Sequence, residues 1–319
     1  MRLGIQTLIA GLALVGQLQA IAAPVAPVTP TSERFDLERV VALEYLETEV
    51  LLALGITPVG VADIAGYRRW VGIQGNKLTD SRDLGSRQSP SLERLSGLQP
   101  SLIISSHWRH GSIAGRLRSI APTLLYADLP KPSTSDQYSR MRAIVRDMGK
   151  RLGRPEQASH ILRRLDAKLS EHRRALAQAA AQGSVILAQH IGGSQRFRLF
   201  TDNSLVVQVA KRLGLENGFE HEPQPHGFAT VRLRELLELP REARLLMVAN
   251  REDAGYEEVM ESPLWQAAPI VEAGRVIHLP TDTWFFGGPL SARRLADRVA
   301  EALTRSAEHT AAAPSPDAP

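Results

Sequence analysis

Residues 155–182, PEQASHILRRLDAKLSEHRRALAQAAAQ, contain neither glycine nor a second proline after Pro155, and this stretch constrains the fold more than any other. Pro155 suits the first turn of a helix, and Gly183 is a natural C-terminal stop. Ala158, Ile161, Leu162, Leu165, Leu169 and Leu176 recur mostly at spacings of three and four, which predicts one buried stripe. At about 1.5 Å per residue such a helix reaches roughly 40 Å, the width of a whole lobe. Segments of α/β character flank it on both sides. The expected architecture is therefore two α/β lobes, residues 35–154 and 183–305, joined by a single stiff helix.

The flanks alternate strand and helix, the rhythm of a parallel sheet covered by helices. Before the long helix, apolar strands are expected at 39–43, 58–62, 102–105 and 123–126. Helices are expected at 44–54, at 92–98 behind a Ser91 cap, and at 137–151. Loops fall after Asp63, at 107–111 and at 131–136. Beyond it, strands at 184–188 and 197–200 read as a hairpin across Gly192-Gly193, giving a mixed sheet. Asn203 or Ser204 caps a helix to 213, and helices at 233–239 and 257–266 enclose a strand at 245–248. A strand at 275–279 and a closing helix at 291–304 complete the lobe. Ligands in such folds sit at the carboxyl ends of strands, here the loops after Ala62, Ser105, Ala188, Val248 and Leu279.

With 319 residues there is length for two cores. Met1-Arg2 is a short positive start, Leu3 to Val15 is mostly apolar, and Ala20 and Ala22 flank Ile21. Residues 1–22 therefore read as an export signal cleaved near Ala22, too short and too weakly apolar to span a membrane. Residues 23–34 read as a flexible leader and 306–319 as a disordered tail. The absence of cysteine excludes disulfides, thiolate metal sites and a lipid-modified cysteine, so a free, unanchored protein is expected in a periplasm-like compartment. The net charge of +4 is spread among interleaved acids and bases, as along 163–171. No basic block alternates with aromatics, and nucleic acid is not an expected partner.

No Gly-x-Ser-x-Gly elbow, phosphate loop, dinucleotide fingerprint or His-Glu-x-x-His helix is present, so the common hydrolase, kinase and dehydrogenase chemistries find no footing. The strand-end loops instead carry aromatics with a few Arg and His: Tyr67 and Trp70, then Trp108 between His107 and Arg109-His110, then Trp284-Phe285-Phe286. Five segments share their order with one known family: ALEYLETEVLLALGITPVGVADIAGYRRWV from Ala42, GSRQSPSLERL from Gly85, PSLIISS from Pro100, TDNSLVVQVAKRLGLENGF from Thr201, and SPLWQAAPIVEAGRVIHLP from Ser262 leading into TWFFGGPLSA. On these the chain resembles the periplasmic ferric-hydroxamate, ferrichrome-type siderophore-binding proteins of ABC importers, whose two lobes are tied by one long helix. The likeness runs from about Arg39 to Thr304.

The resemblance implies a non-enzymatic carrier with the helical-backbone binding-protein fold. Its ligand is an iron(III) chelate whose six oxygens come from the siderophore, so neither a cofactor nor protein metal ligands are expected. Arg87 matches the family's donor to hydroxamate oxygens, a role that suits a planar guanidinium. Trp70, Trp284 and Phe286 match wall positions. Where relatives place a Tyr this chain has Trp108 and Arg109, and where they place a Trp it has His226. Glu93 matches an N-lobe contact to the inner-membrane permease, with Glu235 beside the corresponding C-lobe position. A monomer is expected. Two alternatives stay open at this point: haem or metal gathered by His107, His110, His190 and His226, and an exported siderophore-modifying enzyme on the same scaffold.

Overall fold

A computed structural model describes residues 35–127, 129, 135–253 and 255–312. The expected signal and leader, residues 131–134 of an expected loop and the tail from 313 lie outside these residues. The first sheet holds β1 (Val40–Ala42), β2 (Gly60–Val61), β3 (Arg82–Asp83), β4 (Leu102–Ser106) and β5 (Thr123–Tyr126) in the order β3-β2-β1-β4-β5, all parallel. The second holds β6 (Gly183–Ile191), β7 (Arg196–Phe200), β8 (Leu215–Asn217), β9 (Phe228–Arg232), β10 (Arg244–Val248) and β11 (Val276–Leu279). Its order is β11-β10-β6-β7-β9, with β8 also paired to β6. The β6–β7–β9 pairings are antiparallel and the rest parallel, so the sheet is mixed as expected.

Period-two alternation sorts the strand residues between two faces. Val40, Ala42, Leu102 and Ile104 face inward, while Val41, Leu43 and Ile103 form a separate outer cluster with Leu84, Leu95 and Leu117. In the second sheet Val185 and Leu187 face inward, and Ile186, Ala188, Leu245 and Met247 pack outward with Trp265 and Ile270. The inner faces do not close two separate cores. Both pack onto a shared helical layer, and one continuous apolar cluster runs from Val40 through the connecting helix to Leu246.

That helix runs Pro155–Gln178 and buries Ala158, Leu162, Leu165, Leu169 and Leu176. Each fully buried leucine contributes about 1.5–3 kcal/mol of transfer free energy. The helix stops four residues short of the expected 182 because Ala180 turns into the left-handed region, with φ of 49°. The Ala181 N–H then donates to Leu176 O at 2.9 Å, and the Ala180 N–H to Ala177 O at 3.2 Å, closing the end as glycine usually does.

A second tie joins the lobes. Glu49, wholly buried on the helix Tyr45–Ala53, accepts hydrogen bonds from the N–H groups of Gly288 (2.9 Å), Leu290 (2.9 Å) and Ser291 (2.8 Å), and from Ser291 Oγ (2.5 Å). The three N–H groups are orphan donors at the start of the C-terminal helix, Pro289–Ala312, and a carboxylate there also meets the positive end of the helix dipole. Burial works to raise this carboxyl's pKa, and the four donated hydrogen bonds work against it. A Cβ on Gly288 would stand 2.9 Å from Glu49 Oε1, so the approach needs glycine there.

Other expectations are corrected in detail. The tail does not begin at Ser306: the alanine-rich run keeps the last helix going to Ala312, and Ala307 packs on the core. Residues 107–111 are not a plain loop, since His107–His110 form a helical turn, as do Ile64–Gly66 and Tyr67–Val71 after Asp63. The helix expected at 257–266 is two, Tyr256–Glu261 and Pro263–Gln266. Ser262, extended before Pro263, caps the second through Trp265 N–H.

Candidate functional site

A cavity of about 320 Å³ opens between the lobes at the carboxyl ends of the strands. From the N-lobe side it is lined by Glu44, Tyr45, Arg87, Trp108 and Arg109, and from the other by Arg198, His226, Phe228, Trp284 and Phe286. Six of the seven expected ligand residues therefore meet around it. The seventh, Trp70, is half-buried beside Tyr45 and Trp284 and lines an adjoining chamber.

Arg87 is held by its loop. Gly85 turns the chain after β3 at φ of 84°, Asp83 Oδ1 accepts from Gly85 N at 2.7 Å, and Asp63 N donates to Gly85 O at 2.7 Å. His110, buried, fixes the next link: its Nε2–H donates to the Arg87 carbonyl at 2.8 Å, so Nδ1 accepts from Ser105 Oγ–H at 2.7 Å. Burial lowers the pKa of His110, consistent with this neutral tautomer. The Arg87 guanidinium lies over the Tyr45 ring, Cζ 3.7 Å from its centre, and Tyr45 Oη donates to Asp63 Oδ2 at 2.5 Å. Burial first, then that hydrogen bond, pushes the Tyr45 phenol well above its ordinary range, so it stays protonated.

Glu44 is the residue that sequence reasoning passed over on this side. It sits at the N-terminus of its helix, buried, and takes Arg87 Nη1 at 3.0 Å on one oxygen and Arg109 Nε on the other. Burial raises its pKa, and the two guanidiniums pull the other way. Arg109 also lies over Trp108, Cζ 4.4 Å from the ring centre. Trp108 is 51% exposed and meets His226 across the cleft edge-on at 5.1 Å.

Arg198 was missed on the opposite wall. Alternation along β7 puts Phe197 and Leu199 in the outer core and turns Arg198 to the cleft. Its Cζ lies 4.8 Å from the Phe228 ring centre and 5.9 Å from that of Phe286, and Nη1 donates to Gln189 Oε1 at 2.9 Å. Among the described residues no carboxylate pairs with it, and burial works against its charge. Trp284 continues the wall, its ring 5.3 Å from Phe286 and 5.8 Å from Tyr45. Four donors here are buried without a hydrogen-bond acceptor among the described residues: Arg87 Nε, Gln137 Nε2, Arg198 Nε and Trp284 Nε1.

The remaining expected residues lie apart. Glu93 is exposed on the helix Leu92–Gly97. Glu235 is partly engaged at home, its Oε2 accepting from Arg232 N at 2.7 Å at the start of its own helical turn, whereas Glu238 is exposed. The four histidines do not converge: His107 is exposed, His110 and His190 are buried at separate places, and His226 faces Trp108. Among the described residues no group of three His, Asp or Glu could hold a metal ion, and no helix is long and apolar enough to cross a membrane.

Residues 40–283 match the family model described as periplasmic binding protein. The chain belongs to that family. Within it, the chain is 31% identical over 268 residues to the iron(3+)-hydroxamate-binding protein FhuD of Escherichia coli, covering 83% of this chain and 86% of that one. It is 29% identical over 262 residues to the Fe(3+) dicitrate-binding periplasmic protein FecB of the same organism, covering 81% and 82%. The structure is similar to that of the siderophore-binding protein FhuD from Vibrio cholerae with Fe3+-Desferal bound, with a TM-score of 0.76 and 28% identity over 83% of this chain and 97% of that one. Such relatives are binding proteins, and two lobes on a long connecting helix are the fold they share with this chain.

Proposed function

We propose that the protein captures iron(III)–hydroxamate siderophores in the interlobe cleft and delivers them to an inner-membrane ABC permease. The observation that carries this reading is an aromatic-walled cavity rimmed by donors with no acceptor of their own, Arg87 Nε, Arg198 Nε and Trp284 Nε1. Such a surface suits a ligand that brings apolar carbon and a cluster of oxygens. An iron(III) trihydroxamate is one: its iron is already six-coordinate, so it needs walls and donors rather than protein metal ligands. The guanidiniums would receive the hydroxamate oxygens, and Trp284, Phe286 and Phe228 the carbon framework. Trp108 and Arg109 would stand where relatives use a Tyr. Among the described residues that line the cleft no nucleophile is paired with a base, which favours binding over turnover.

An iron(III)–carboxylate chelate is the second reading, favoured by the unpaired charge of Arg198 and the likeness to FecB. Glu44 weighs against it. Its carboxylate already serves two of the three cleft arginines, which lowers the positive field a multiply charged citrate complex would need. Docking would rest on Glu93 at one lobe and on Glu235, or the more exposed Glu238, at the other.

The test is a titration with ferric hydroxamates, ferric citrate, a ferric catecholate and haem, followed by tryptophan fluorescence, since Trp284, Trp108 and Trp70 lie at or beside the cleft. Saturable quenching strongest for a trihydroxamate is expected, with the chelate recovered unchanged. Binding of haem or bare metal alone refutes the reading, and tighter binding of ferric citrate moves the assignment to the carboxylate class.

A further inference from the structure

The cleft does not end at the aromatic wall. Behind Arg87, Arg198 and Trp284 lies a second chamber of about 240 Å³, which these three residues share with the main cavity. Its far end is of opposite chemistry. Gln189, His190, Gly192, Asn250, Asp253 and Thr281 line it, and the Asp253 carboxylate and His190 Nδ1 are acceptors there.

Asp253 is the centre of that end. Asn250 Nδ2 donates to its Oδ1 at 2.5 Å, and among the described residues no cation pairs with the carboxylate. The Asp253 side chain also caps no helix, since the following helix begins at Tyr256 with Gly255 at its N-cap and no side-chain cap. The β6–β7 turn is built around it: a Cβ on Gly192 would stand 2.0 Å from Asp253 Oδ2, so only glycine lets the carboxylate lie there. His190, 5% exposed, donates through Nε2 to Ser194 O at 2.9 Å, which leaves Nδ1 as an acceptor, and among the described residues no donor meets it. Arg198 spends Nη1 on Gln189 and forms no ion pair with Asp253. The chamber is therefore polarised, with cationic donors at the wall shared with the main cavity and acceptors with one unpaired acid at the far end.

We infer that this chamber seats a cationic, hydrogen-bond-donating arm of the ligand, an amine-bearing tail outside the iron chelate, with Asp253 as its counter-ion. The inference rests on the siderophore reading and narrows it. A chelate whose oxygens face Arg87 and Arg198 would direct such a tail past Trp284 towards Asp253, so that each end of the ligand meets the complementary charge. An ammonium there replaces water with a carboxylate partner in a partly enclosed site, where the pair is screened less than on the surface.

The experiment compares one linear ferric trihydroxamate bearing a terminal primary amine with its N-acetylated form, which keeps the same chelate. Both are titrated into wild type, Asp253→Asn and Gly192→Ala. Wild type is expected to bind the amine form about tenfold tighter, with the preference shrinking as salt rises. Asp253→Asn is expected to bind both forms alike, at the wild-type affinity for the acetylated one. Gly192→Ala, which displaces the carboxylate without removing it, is expected to lose most of the preference. Equal binding of the two forms by wild type, or a preference that survives Asp253→Asn, overturns the inference while leaving the siderophore reading standing. Failure of both forms to bind overturns the two together.

Discussion

Arg198 offers the sharpest separation between a residue kept for ligand and one kept for the fold. Arg198→Met removes the guanidinium while retaining a flexible stem to pack on Phe228 and Phe286. Without ligand the losses are one hydrogen bond to Gln189, about 1 kcal/mol, and a cation–π contact, about 0.5–1 kcal/mol. Against them stands relief of a buried donor with no acceptor, Nε, worth about 1–3 kcal/mol. The terms nearly cancel, so stability is expected to stay within about 1 kcal/mol of wild type, or about 4 °C in Tm. With ligand the variant lacks a charge-assisted hydrogen bond of about 1.5–3 kcal/mol, roughly a tenfold to hundredfold loss in affinity. Urea melts and titrations on the same preparation read both quantities. A variant destabilised by several kcal/mol that still binds the ferric trihydroxamate as wild type does would show that Arg198 serves the fold, and the reasoning would fail.

Three further outcomes are expected. Burial lowers the pKa of His190, so below about pH 6.5 the unfolded chain takes up a proton that the folded one refuses, and stability falls as pH drops. His110 and His278 act in the same sense and the raised Glu44 and Glu49 in the opposite one, so the readout is a difference. Between pH 7 and 5.5, His190→Gln should lose less stability than wild type, and identical slopes in denaturant melts would reject a neutral His190. Ala180→Gly relieves a left-handed alanine at the end of the connecting helix and should stabilise by about 0.5–1 kcal/mol, whereas destabilisation would mean the helix ends otherwise. Small-angle scattering should give indistinguishable radii of gyration with and without ligand, because the lobes are tied twice, by a helix with no Pro or Gly past its first residue and by Glu49. A clamp-like contraction would show that neither tie holds.

The parts of this fold that were legible in the sequence are those with one dominant local signal. The connecting helix shows its stripe and its Pro155, and the inner strands show unbroken apolar runs. Its end was misplaced because Ala180 takes a conformation that sequence reasoning reserves for glycine. β3 is two polar residues, Arg82 and Asp83, which carry no strand signal of their own and are paired only because β2 lies alongside. In the cleft, Arg87 and the aromatics were reached through family likeness. Arg198 was not, because Arg196 and Arg198 alternating with Phe197 and Leu199 read as an ordinary solvent face, and only tertiary structure turns that face to the cavity. Glu44 stands at the N-cap of, and Glu47 and Glu49 lie within, a helix whose other buried residues are mostly apolar, and that contradiction was the signal available. A buried acid in a hydrophobic run implies a partner, although the run cannot say that one partner is a pair of arginines and the other the start of a helix some 240 residues away.

Capture of an intact chelate between the lobes is tested most directly by a crystal structure of the protein with a ferric trihydroxamate. The expected result is a six-coordinate iron whose ligands all come from the siderophore, seated in the cavity bounded by Trp108, Trp284 and Phe286. Its hydroxamate oxygens should lie about 2.7–3.0 Å from guanidinium nitrogens of Arg87 and Arg198. Iron coordinated by protein side chains, or a chelate bound elsewhere while this cavity stays empty, would contradict it.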